Sequence, residues 1–336
     1  MHTIAITGAG GGVGQSILKT LHQTDYNLVS LDGDLLGTGL YASEKAYKIP
    51  YAADENYIST LLEVCKKESC DLLFPGLDVE LLPLSLHQER FLAIGTKVIV
   101  SNQEVINISD DKLETFNWLT SRGFRVPQTA SAEEIIQGSA WNKFPLVVKP
   151  KAGGARSKNV YILKSNKELE SFLLLNGAEL SHYVVQEYIG GDEYTCGSIC
   201  LDNECKGVIV FRRTLRHGDT YKCFVERNPV VEALVKSIVN EMQPVGAFNV
   251  QLKIERGISY VFEFNARCSG TTASRALCGF NEPLMIADFL LKGKVPSFSI
   301  EEKTILRYWN ELPVLNEDIN TLQNKGVLVR KNYTNL

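Results

Sequence analysis

The chain has 336 residues, 44% of them hydrophobic and 22% charged, with a formal net charge of −4. This length predicts two or three domains, and this composition is typical of a water-soluble globular protein. The negative charge argues against general binding to nucleic acid or to an anionic membrane surface, and no apolar run is long enough to span a bilayer.

The first hundred residues alternate short apolar runs with helical patterns. Strand patterns cover residues 3–7, 28–32, 71–75 and 97–100, and helical patterns cover residues 13–21 and 58–67. Strands separated by helices are typical of βαβ units with a parallel sheet. The sequence therefore predicts a Rossmann-like α/β domain over residues 1–108.

A glycine-rich turn follows the first strand pattern. Gly8, Gly11 and Gly14 fit G-x-x-G-x-x-G, although the strict G-x-G-x-x-G fails. Asp32 ends the second strand where a ribose-binding acid would lie. An NAD(P)-dependent reductase or epimerase is therefore one alternative. No Tyr-x-x-x-Lys pair follows in the register that such enzymes use, which weighs against it.

Two acids follow the third strand pattern, in Pro75-Gly76-Leu77-Asp78-Val79-Glu80. Because the carboxyl ends of parallel strands face the ligand crevice, Asp78 and Glu80 are candidates to bind an amine of a substrate. Helix capping or loop solubility is the alternative role.

A second architecture is predicted from residue 109 onward. Ser109 is a candidate N-cap of a helix that Gly123 closes. Beyond it, strand patterns cover residues 145–149, 159–163, 183–188, 193–201, 206–213, 247–254 and 259–265, and a helical pattern covers residues 229–242. Long strands with few intervening helices predict an α+β domain with antiparallel sheet over residues 109–293. Residues 294–336 are expected to form a tail that packs on the core.

A lysine and a glycine loop end the first of these strand patterns. Lys149 is its last residue, and Gly153 and Gly154 lie in the loop that follows. Backbone N–H groups of such a loop can close over phosphates while an ammonium group lies beside them. The Walker motif is absent, and a surface hairpin with solvated lysines is the alternative.

An apolar strand, a glycine turn and a second strand follow at residues 183–194. The edge backbone from Glu187 to Ile189 could pair with the rim of an adenine, and Glu193 could accept hydrogen bonds from ribose hydroxyls. The segment is a candidate nucleotide-binding edge, with a plain hairpin as the alternative.

Polar side chains lie on one side of the last strand pattern. Alternation across a sheet places Val261, Glu263, Asn265 and Arg267 on one face, and Phe262, Phe264 and Ala266 on the other. A carboxylate and an amide oxygen suit Mg²⁺, and Gln251 on the neighbouring strand of a predicted hairpin adds another oxygen. Arg267 would stabilise charge on a transferring phosphoryl group. The sequence therefore predicts a metal and phosphate centre, with a solvent-exposed strand face as the alternative.

Taken in order, these features resemble the ATP-grasp superfamily, and most closely one synthetase half of the carbamoyl-phosphate synthetase large subunit. The order is Lys112 early in a helix, Lys149 with its glycine loop, the hinge Q-E-Y-I-x-G-x-E, Gln251, and finally E-x-N-x-R. The similarity covers residues 1–293. The combination is specific, although no single motif is.

The resemblance implies a role for each matching residue. Lys112 and Lys149 would contact ATP phosphates, and Gly153 and Gly154 would belong to the phosphate lid. Glu187 and Ile189 would meet adenine, and Glu193 would meet ribose. Mg²⁺ (or Mn²⁺) would be held by Gln251, Glu263 and Asn265, and Arg267 would stabilise the phosphoryl group. The resemblance also implies a pre-ATP-grasp domain over residues 1–108 and an ATP-grasp fold over residues 109–293, with a lid subdomain at 127–188.

Candidate residues for the other substrates are fewer. The loop Arg216-His217-Gly218-Asp219-Thr220 is loosely similar to a histidine-bearing loop of the same family, which makes His217 a candidate. Arg212, Arg216 and Arg275 are candidates, from their position in the chain, to hold a substrate carboxylate.

The chain has one grasp unit and nothing that resembles a glutaminase, so the family's full route from bicarbonate to carbamoyl phosphate is not expected. A stand-alone ligase fits better: ATP phosphorylates a small-molecule carboxylate, and an amine displaces phosphate from the acyl phosphate. A non-catalytic ATP- or ADP-binding module is a further alternative, and a homodimer stays open.

Eight cysteines are scattered along the chain. Cys196, Cys200 and Cys205 lie in apolar strand patterns without a C-x-x-C pair or a nearby histidine, so they predict reduced core thiols rather than a metal site. Met1 leads directly into a strand pattern without a basic n-region, so we expect no signal peptide and a cytoplasmic protein.

Overall fold

The computed structural model describes residues 1–136, 143–153, 158–330, 333 and 336. The first part of the chain forms a parallel sheet covered by helices. Its strands are β1 (Thr3–Ile6), β2 (Asn27–Asp32), β3 (Lys45–Lys48), β4 (Leu72–Phe74) and β5 (Lys97–Val98), and its helices are α1 (Gly12–Leu21), α2 (Tyr57–Lys67), α3 (Asp78–Leu92) and α4 (Gln103–Asp110), with a 3₁₀ turn at Thr38–Tyr41. The strands pair in parallel in the order β3-β2-β1-β4-β5.

Both faces of this sheet are buried. Ile4 and Ile6 of β1 pack with Ile17 of α1, whereas Ala5 packs on the opposite face with Ile58 of α2. A parallel sheet is covered on both faces because its crossover helices lie there. The predicted Rossmann-like α/β domain is confirmed.

Helix α5 (Lys112–Ser121) follows directly after α4. Its N-cap is Asp111, whose carboxylate accepts a hydrogen bond from the Leu113 N–H at 2.8 Å. The predicted N-cap at Ser109 is wrong, because Ser109 still lies within α4 and donates to the Val105 carbonyl. The domain boundary predicted after residue 108 falls inside this helix.

A four-stranded antiparallel sheet, the small sheet, comes next. It comprises β6 (Thr129–Ser131), β7 (Leu146–Pro150), β8 (Tyr161–Leu163) and β9 (Tyr183–Glu187) in the order β6-β9-β7-β8, with α6 (Ala132–Ile136), α7 (Asn166–Leu175) and a 3₁₀ turn at Gly177–His182. Leu169 and Phe172 of α7 share its apolar core.

The large sheet carries most of the site. It contains β10 (Asp192–Leu201), β11 (Glu204–Arg216), β12 (Asp219–Val225), β13 (Gly246–Glu255) and β14 (Ile258–Asn265), with α8 (Pro229–Met242), α9 (Thr272–Ala276) and α10 (Glu282–Lys292). Its order is β14-β13-β10-β11-β12, and every neighbouring pair is antiparallel. Val235, Ile238 and Val239 of α8 lie in the core behind one face. The predicted α+β architecture is confirmed.

The C-terminal segment adds a strand to each of two sheets. β15 (Thr304–Leu306) pairs with β12 of the large sheet, and β16 (Val327–Val329) pairs with β3 of the N-terminal sheet. Between them lies α11 (Asn316–Lys325), whose Leu322 is fully buried. The segment therefore links the two domains. Across the described ranges, no helix combines the length and the apolar character that a membrane span needs.

Candidate active site

A cleft of about 650 Å³ lies where the N-terminal domain, the small sheet and the large sheet meet. Most of the residues that the sequence singles out line it, namely Asp78, Lys112, Lys149, Gly153, Glu187, Ile189, Glu193, Gln251, Glu263, Asn265 and Arg267. Segments far apart in the chain thus contribute to one site. Gly154, predicted to belong to the same glycine loop, lies outside the described residues.

The polar face of β14 departs from simple alternation. Gln251 pairs with Glu263, but Leu252 pairs with Val261, so Phe262 is the extra residue of a β-bulge. Phe262 therefore lines the cleft, and Val261 lies in the core behind the sheet. The predicted faces of these two residues were wrong, because one extra residue shifts the two-residue period.

Three side chains of β13 and β14 form a hydrogen-bonded cluster on the cleft. The amide nitrogen of Gln251 donates to Glu263 Oε1 at 3.1 Å and to Asn265 Oδ1 at 3.0 Å. Asn265 donates to the same Glu263 oxygen at 3.3 Å and accepts from Asn249 at 2.9 Å. The carboxylate and the amide oxygen therefore face a common point.

The donor set of this cluster fits Mg²⁺. One carboxylate with neutral oxygens is a set that Mg²⁺ completes with water and phosphate. Within the described parts of the chain, no group of three or more His, Cys, Asp or Glu offers an alternative metal site. Gln251 turns its oxygen to Arg213 at 2.6 Å. Its nitrogen holds Glu263 and Asn265 in place, and its role as a third ligand stays a prediction.

Lys149 reaches from the small sheet to the large sheet. It is 6% exposed, and its Nζ donates to Gln186 Oε1 at 2.9 Å and to the Phe262 carbonyl at 3.5 Å. Gln186 in turn donates to Thr129 Oγ1 at 2.8 Å. Burial lowers the pKa of Lys149 to about 8, although the Glu263 carboxylate opposes this effect. The cleft therefore contains a buried, oriented cation beside the acid–amide cluster.

Lys112, the first residue of α5, lies against the glycine loop. Its Nζ donates to the Gly153 carbonyl at 2.8 Å, and the Gly153 N–H donates to the Asp110 carboxylate at 3.0 Å. The Lys112 N–H donates to the Lys151 carbonyl at 2.8 Å. These bonds hold the start of the loop next to the lysine, so both enter the cleft together.

The hinge between β9 and β10 also borders the cleft. The Ile189 carbonyl accepts a hydrogen bond from Lys253 Nζ at 3.1 Å. Gly191 has a φ of +79°, and a Cβ there would lie 2.0 Å from the Ile254 carbonyl oxygen, so only glycine fits. The backbone from Glu187 to Ile189 is thereby held at the edge of the cleft.

Glu193 is paired with an arginine that the sequence analysis missed. Arg213 donates to Glu193 Oε1 through Nε at 3.0 Å and Nη2 at 2.6 Å, and the same Nη2 donates to Gln251. The hairpin register was the available signal, because it places Glu193 opposite Arg213. Arg213 therefore connects the predicted ribose end to the acid–amide cluster of Gln251, Glu263 and Asn265.

Arg267 and Asp78 form an ion pair between the two domains. The Arg267 side chain is 11% exposed, and it also donates to the Cys268 carbonyl at 2.7 Å. Burial lowers the pKa of Arg267, but the Asp78 carboxylate outweighs this effect, so the net direction is upward. Asp78 lines the cleft, but its carboxylate is already paired with the Arg267 guanidinium.

Glu80 does not reach the cleft. It is 2% exposed and accepts hydrogen bonds from Thr7 Oγ1 at 2.7 Å and from the Leu77 N–H at 3.1 Å. Burial raises its pKa. The prediction that Glu80 binds a substrate amine is wrong, because its side chain folds back to cap the start of α3.

Three predicted substrate residues around the β11–β12 turn lie away from the cleft. Arg212 is on the other face of β11, where it donates to Glu226 at 2.5 Å. Arg216 lies over the Tyr221 ring, 5.3 Å from its centroid, and His217 is exposed in the turn. The predictions for Arg212 and Arg216 were wrong, since neighbouring strand residues point to opposite faces. His217 directly precedes Gly218, which lines the cleft, so its role stays a prediction.

Arg275 is fully buried behind the cleft. It donates to Glu282 at 2.8 Å, to Thr195 at 3.1 Å and to Asn249. A Cβ at Gly197 would lie 2.4 Å from both Arg275 Nη1 and Glu282 Oε1. The prediction that Arg275 holds a substrate carboxylate is wrong, because an internal carboxylate already neutralises it.

The N-terminal glycine turn is packed against its own domain. Asp32 accepts hydrogen bonds from the N–H groups of Gly10 at 2.6 Å and Asp34 at 2.8 Å, one on each carboxylate oxygen. A Cβ at Gly10 would lie 2.5 Å from the Gly37 Cα. These internal contacts occupy the acid that a ribose would need, which weighs against the NAD(P)-dependent alternative.

Two further cleft residues were missed. Gln186 stood inside the hinge motif, and its position opposite Val147 on β7 brings it next to Lys149. Arg307 lies in the tail, where no sequence pattern indicates a function, and it lines the cleft because β15 pairs with β12.

Two family models match separate parts of the chain. Residues 4–99 match a model described as PylC-like, N-terminal domain. Residues 179–311 match a model described as ATP-grasp in the biosynthetic pathway with Ter operon.

Curated proteins with similar sequences include synthase and ligase chains. The carbamoyl phosphate synthase large chain of Thermomicrobium roseum is 24% identical over 75% of this chain and 25% of that protein. The D-alanine–D-alanine ligase A of Bacillus cereus is 26% identical over 70% of this chain and 87% of that protein. The chain thus spans about a quarter of the synthase and most of the ligase.

Solved structures support the same fold. N5-carboxyaminoimidazole synthetase from Staphylococcus aureus, complexed with ADP, aligns with a TM-score of 0.73 at 17% identity, covering 99% of this chain and 94% of that one. L-amino acid ligase from Bacillus licheniformis aligns with a TM-score of 0.65 at 16% identity, covering 87% and 74%. Likeness at these identities establishes the fold alone. Together with the family models it confirms the predicted resemblance to the ATP-grasp superfamily.

Proposed function

We propose that the chain is an ATP-dependent carboxylate–amine ligase that works with Mg²⁺ and forms an acyl-phosphate intermediate. One observation carries this proposal: Lys149, Glu263 and Arg267 come from different segments and line one cleft, with the lysine buried and the arginine nearly so. A module that only binds ATP would need the lysines, but it would have no use for a buried arginine beside an acid–amide cluster.

The nucleotide would lie between the small sheet and the large sheet. Lys149 and Lys112 bind its phosphates, because their ammonium groups enter the cleft beside the glycine loop. The backbone from Glu187 to Ile189 meets the adenine, and Glu193 meets the ribose. Glu263 and Asn265 would hold Mg²⁺, which when bound would neutralise part of the phosphate charge.

The chemistry then needs position and charge rather than a side-chain nucleophile. An oxygen of the substrate carboxylate attacks the γ-phosphorus, the bond from that phosphorus to the bridging oxygen breaks, and ADP leaves. Arg267 stabilises the negative charge on the transferred phosphoryl group. The amine attacks the acyl carbon, phosphate leaves with the bonding electron pair, and the ammonium proton passes to solvent.

We also propose a cytoplasmic setting and small-molecule substrates. All eight cysteines are unpaired and buried, which supports a reducing compartment. The cleft volume of about 650 Å³ suits a nucleotide with small partners.

The test is ADP release with Mg²⁺ across a panel of carboxylates and amines, with hydroxylamine present to trap an acyl phosphate. We expect release that requires both Mg²⁺ and a carboxylate, with one hydroxamate formed per ADP. Tight ATP binding without turnover on any pair would contradict the proposal and favour the non-catalytic module.

A further inference from the structure

We infer that Arg307 binds a non-reacting oxyanion, a carboxylate or a phosphate, on one of the two substrates. The inference rests on the proposed ligase function and adds a substrate class: a small molecule that carries an anionic group besides the group that reacts. Arg307 follows β15 in the C-terminal segment and lines the cleft.

The arginines of the cleft differ in their partners. Among the described residues, three arginines line it. Arg213 is paired with Glu193, and Arg267 is paired with Asp78. No described carboxylate lies within ion-pair distance of Arg307, whose hydrogen-bond partners are neutral carbonyl groups. Among the described residues, Arg307 is therefore the cleft arginine that has no carboxylate partner.

The guanidinium is held in place by the edge of the large sheet. Its Nη1 donates to the Thr220 carbonyl at 2.9 Å, and the Arg307 backbone N–H donates to the Tyr221 carbonyl at 3.1 Å. A guanidinium has five N–H donors, so one side-chain bond leaves most of them for another partner. A planar fork of this kind matches the paired oxygens of a carboxylate or phosphate.

Helix α1 brings a second cation near Arg307. Ser16 donates to the carbonyl of Gly270, a cleft residue where an added Cβ would meet open space. Lys19, one turn further along, is close enough that the charge on Arg307 adds to burial in lowering its pKa. The surroundings favour an anion at Arg307.

The first test compares substrates with and without the anionic group. With the carboxylate substrate held constant, ADP release is measured for α-amino acids against their amides, and for aminoalkyl phosphates against amino alcohols, as the amine substrate, in the wild type and in Arg307→Gln, Arg307→Lys and the control Arg227→Gln. Arg227 is exposed and outside the cleft, where it binds Glu302. We expect Arg307→Gln to raise the KM of the anionic substrate at least about tenfold without changing the KM of ATP, and Arg307→Lys to restore part of the loss. The pair that responds identifies carboxylate or phosphate.

The second test does not depend on turnover. The protein saturated with ADP is titrated with acetate and with inorganic phosphate, and the melting temperature is followed. We expect one of these anions to stabilise the wild type and Arg227→Gln, and Arg307→Gln to lose most of that stabilisation. The inference would be overturned if neither anion stabilised the protein or if Arg307→Gln responded to the anion as the wild type does. Equal use of the anionic and neutral substrates would also overturn it. Absence of hydroxamate in every reaction would instead count against the ligase function, while the titration still decides the role of Arg307.

Discussion

Replacing Lys149 with methionine should weaken nucleotide binding and yet stabilise the fold at neutral pH. The lysine is 6% exposed, and burial holds its pKa at about 8 instead of 10.5. Below pH 8 the folded protein therefore carries a buried charge that unfolding would return to water. Methionine has a similar length and no charge, so it fits the same space without this cost.

The gap between the two pKa values corresponds to about 3 kcal/mol, at about 1.4 kcal/mol for each pH unit. The wild type carries this whole cost below pH 8 and loses it as the pH rises from 8 to 10.5, because the folded chain then releases a proton that the unfolded chain still binds. Loss of the donor to Gln186 costs the variant about 1–2 kcal/mol at every pH. The variant should therefore be about 1–2 kcal/mol more stable than the wild type at pH 7, and about 1–2 kcal/mol less stable at pH 10.5.

Urea unfolding followed by circular dichroism, in EDTA and without nucleotide, measures this difference between pH 7 and pH 10.5. Other groups that titrate in this range are common to both proteins and cancel. ADP affinity, measured by calorimetry at pH 7, should fall at least about tenfold in the variant. A stability difference that stays constant with pH would refute the buried-charge reasoning, and an unchanged ADP affinity would refute the phosphate role of the lysine.

Three further variants separate the site from its supports. Glu263→Gln should lower ADP release at least about 100-fold, since the cluster loses its only carboxylate. The circular dichroism spectrum and the melting temperature should stay close to those of the wild type. Full activity would exclude the metal assignment. Gly197→Ala should lower the free energy of unfolding, measured by urea denaturation, by about 3 kcal/mol, because its Cβ would lie 2.4 Å from the buried Arg275–Glu282 pair. A stability equal to that of the wild type would show that the pair tolerates displacement. Arg212→Gln should leave kcat and both KM values within about twofold, because its half-exposed pair on the far side of the sheet contributes little; a large rise in a substrate KM would return this arginine to the site.

The order of the chemical groups could be predicted because each motif is local. Glu263, Asn265 and Arg267 alternate within one short segment, and the hinge and glycine loop depend on neighbouring residues whose turn chemistry is visible in the sequence. The same holds for the N-terminal α/β pattern, since strand and helix periods are properties of adjacent residues. These features were sufficient to predict the resemblance to the superfamily.

Side-chain direction depended on pairing that no local pattern records. Because of the bulge at Phe262, the Phe262 side chain faces the cleft and the Val261 side chain faces the core, the opposite of what simple alternation predicts. The register of β11 placed Arg213, rather than Arg212, on the cleft. Because a shift of one residue moves a side chain to the other face, an uncertainty of one position is enough to exchange a cleft residue for one outside it.

Burial and long-range contact decided the remainder. Arg275 and Glu80 have the charges that a substrate site needs, but their partners lie inside the protein. Arg307 lies in the cleft because β15 pairs with β12, although the residues from 226 to 303 separate these two strands in the sequence. By itself, then, the sequence determined the fold class and the order of the candidate nucleotide-binding motifs, because both follow from spacing along the chain. The tertiary structure alone decided which charges face the cleft and which are neutralised internally, because that depends on neighbours brought together only by folding.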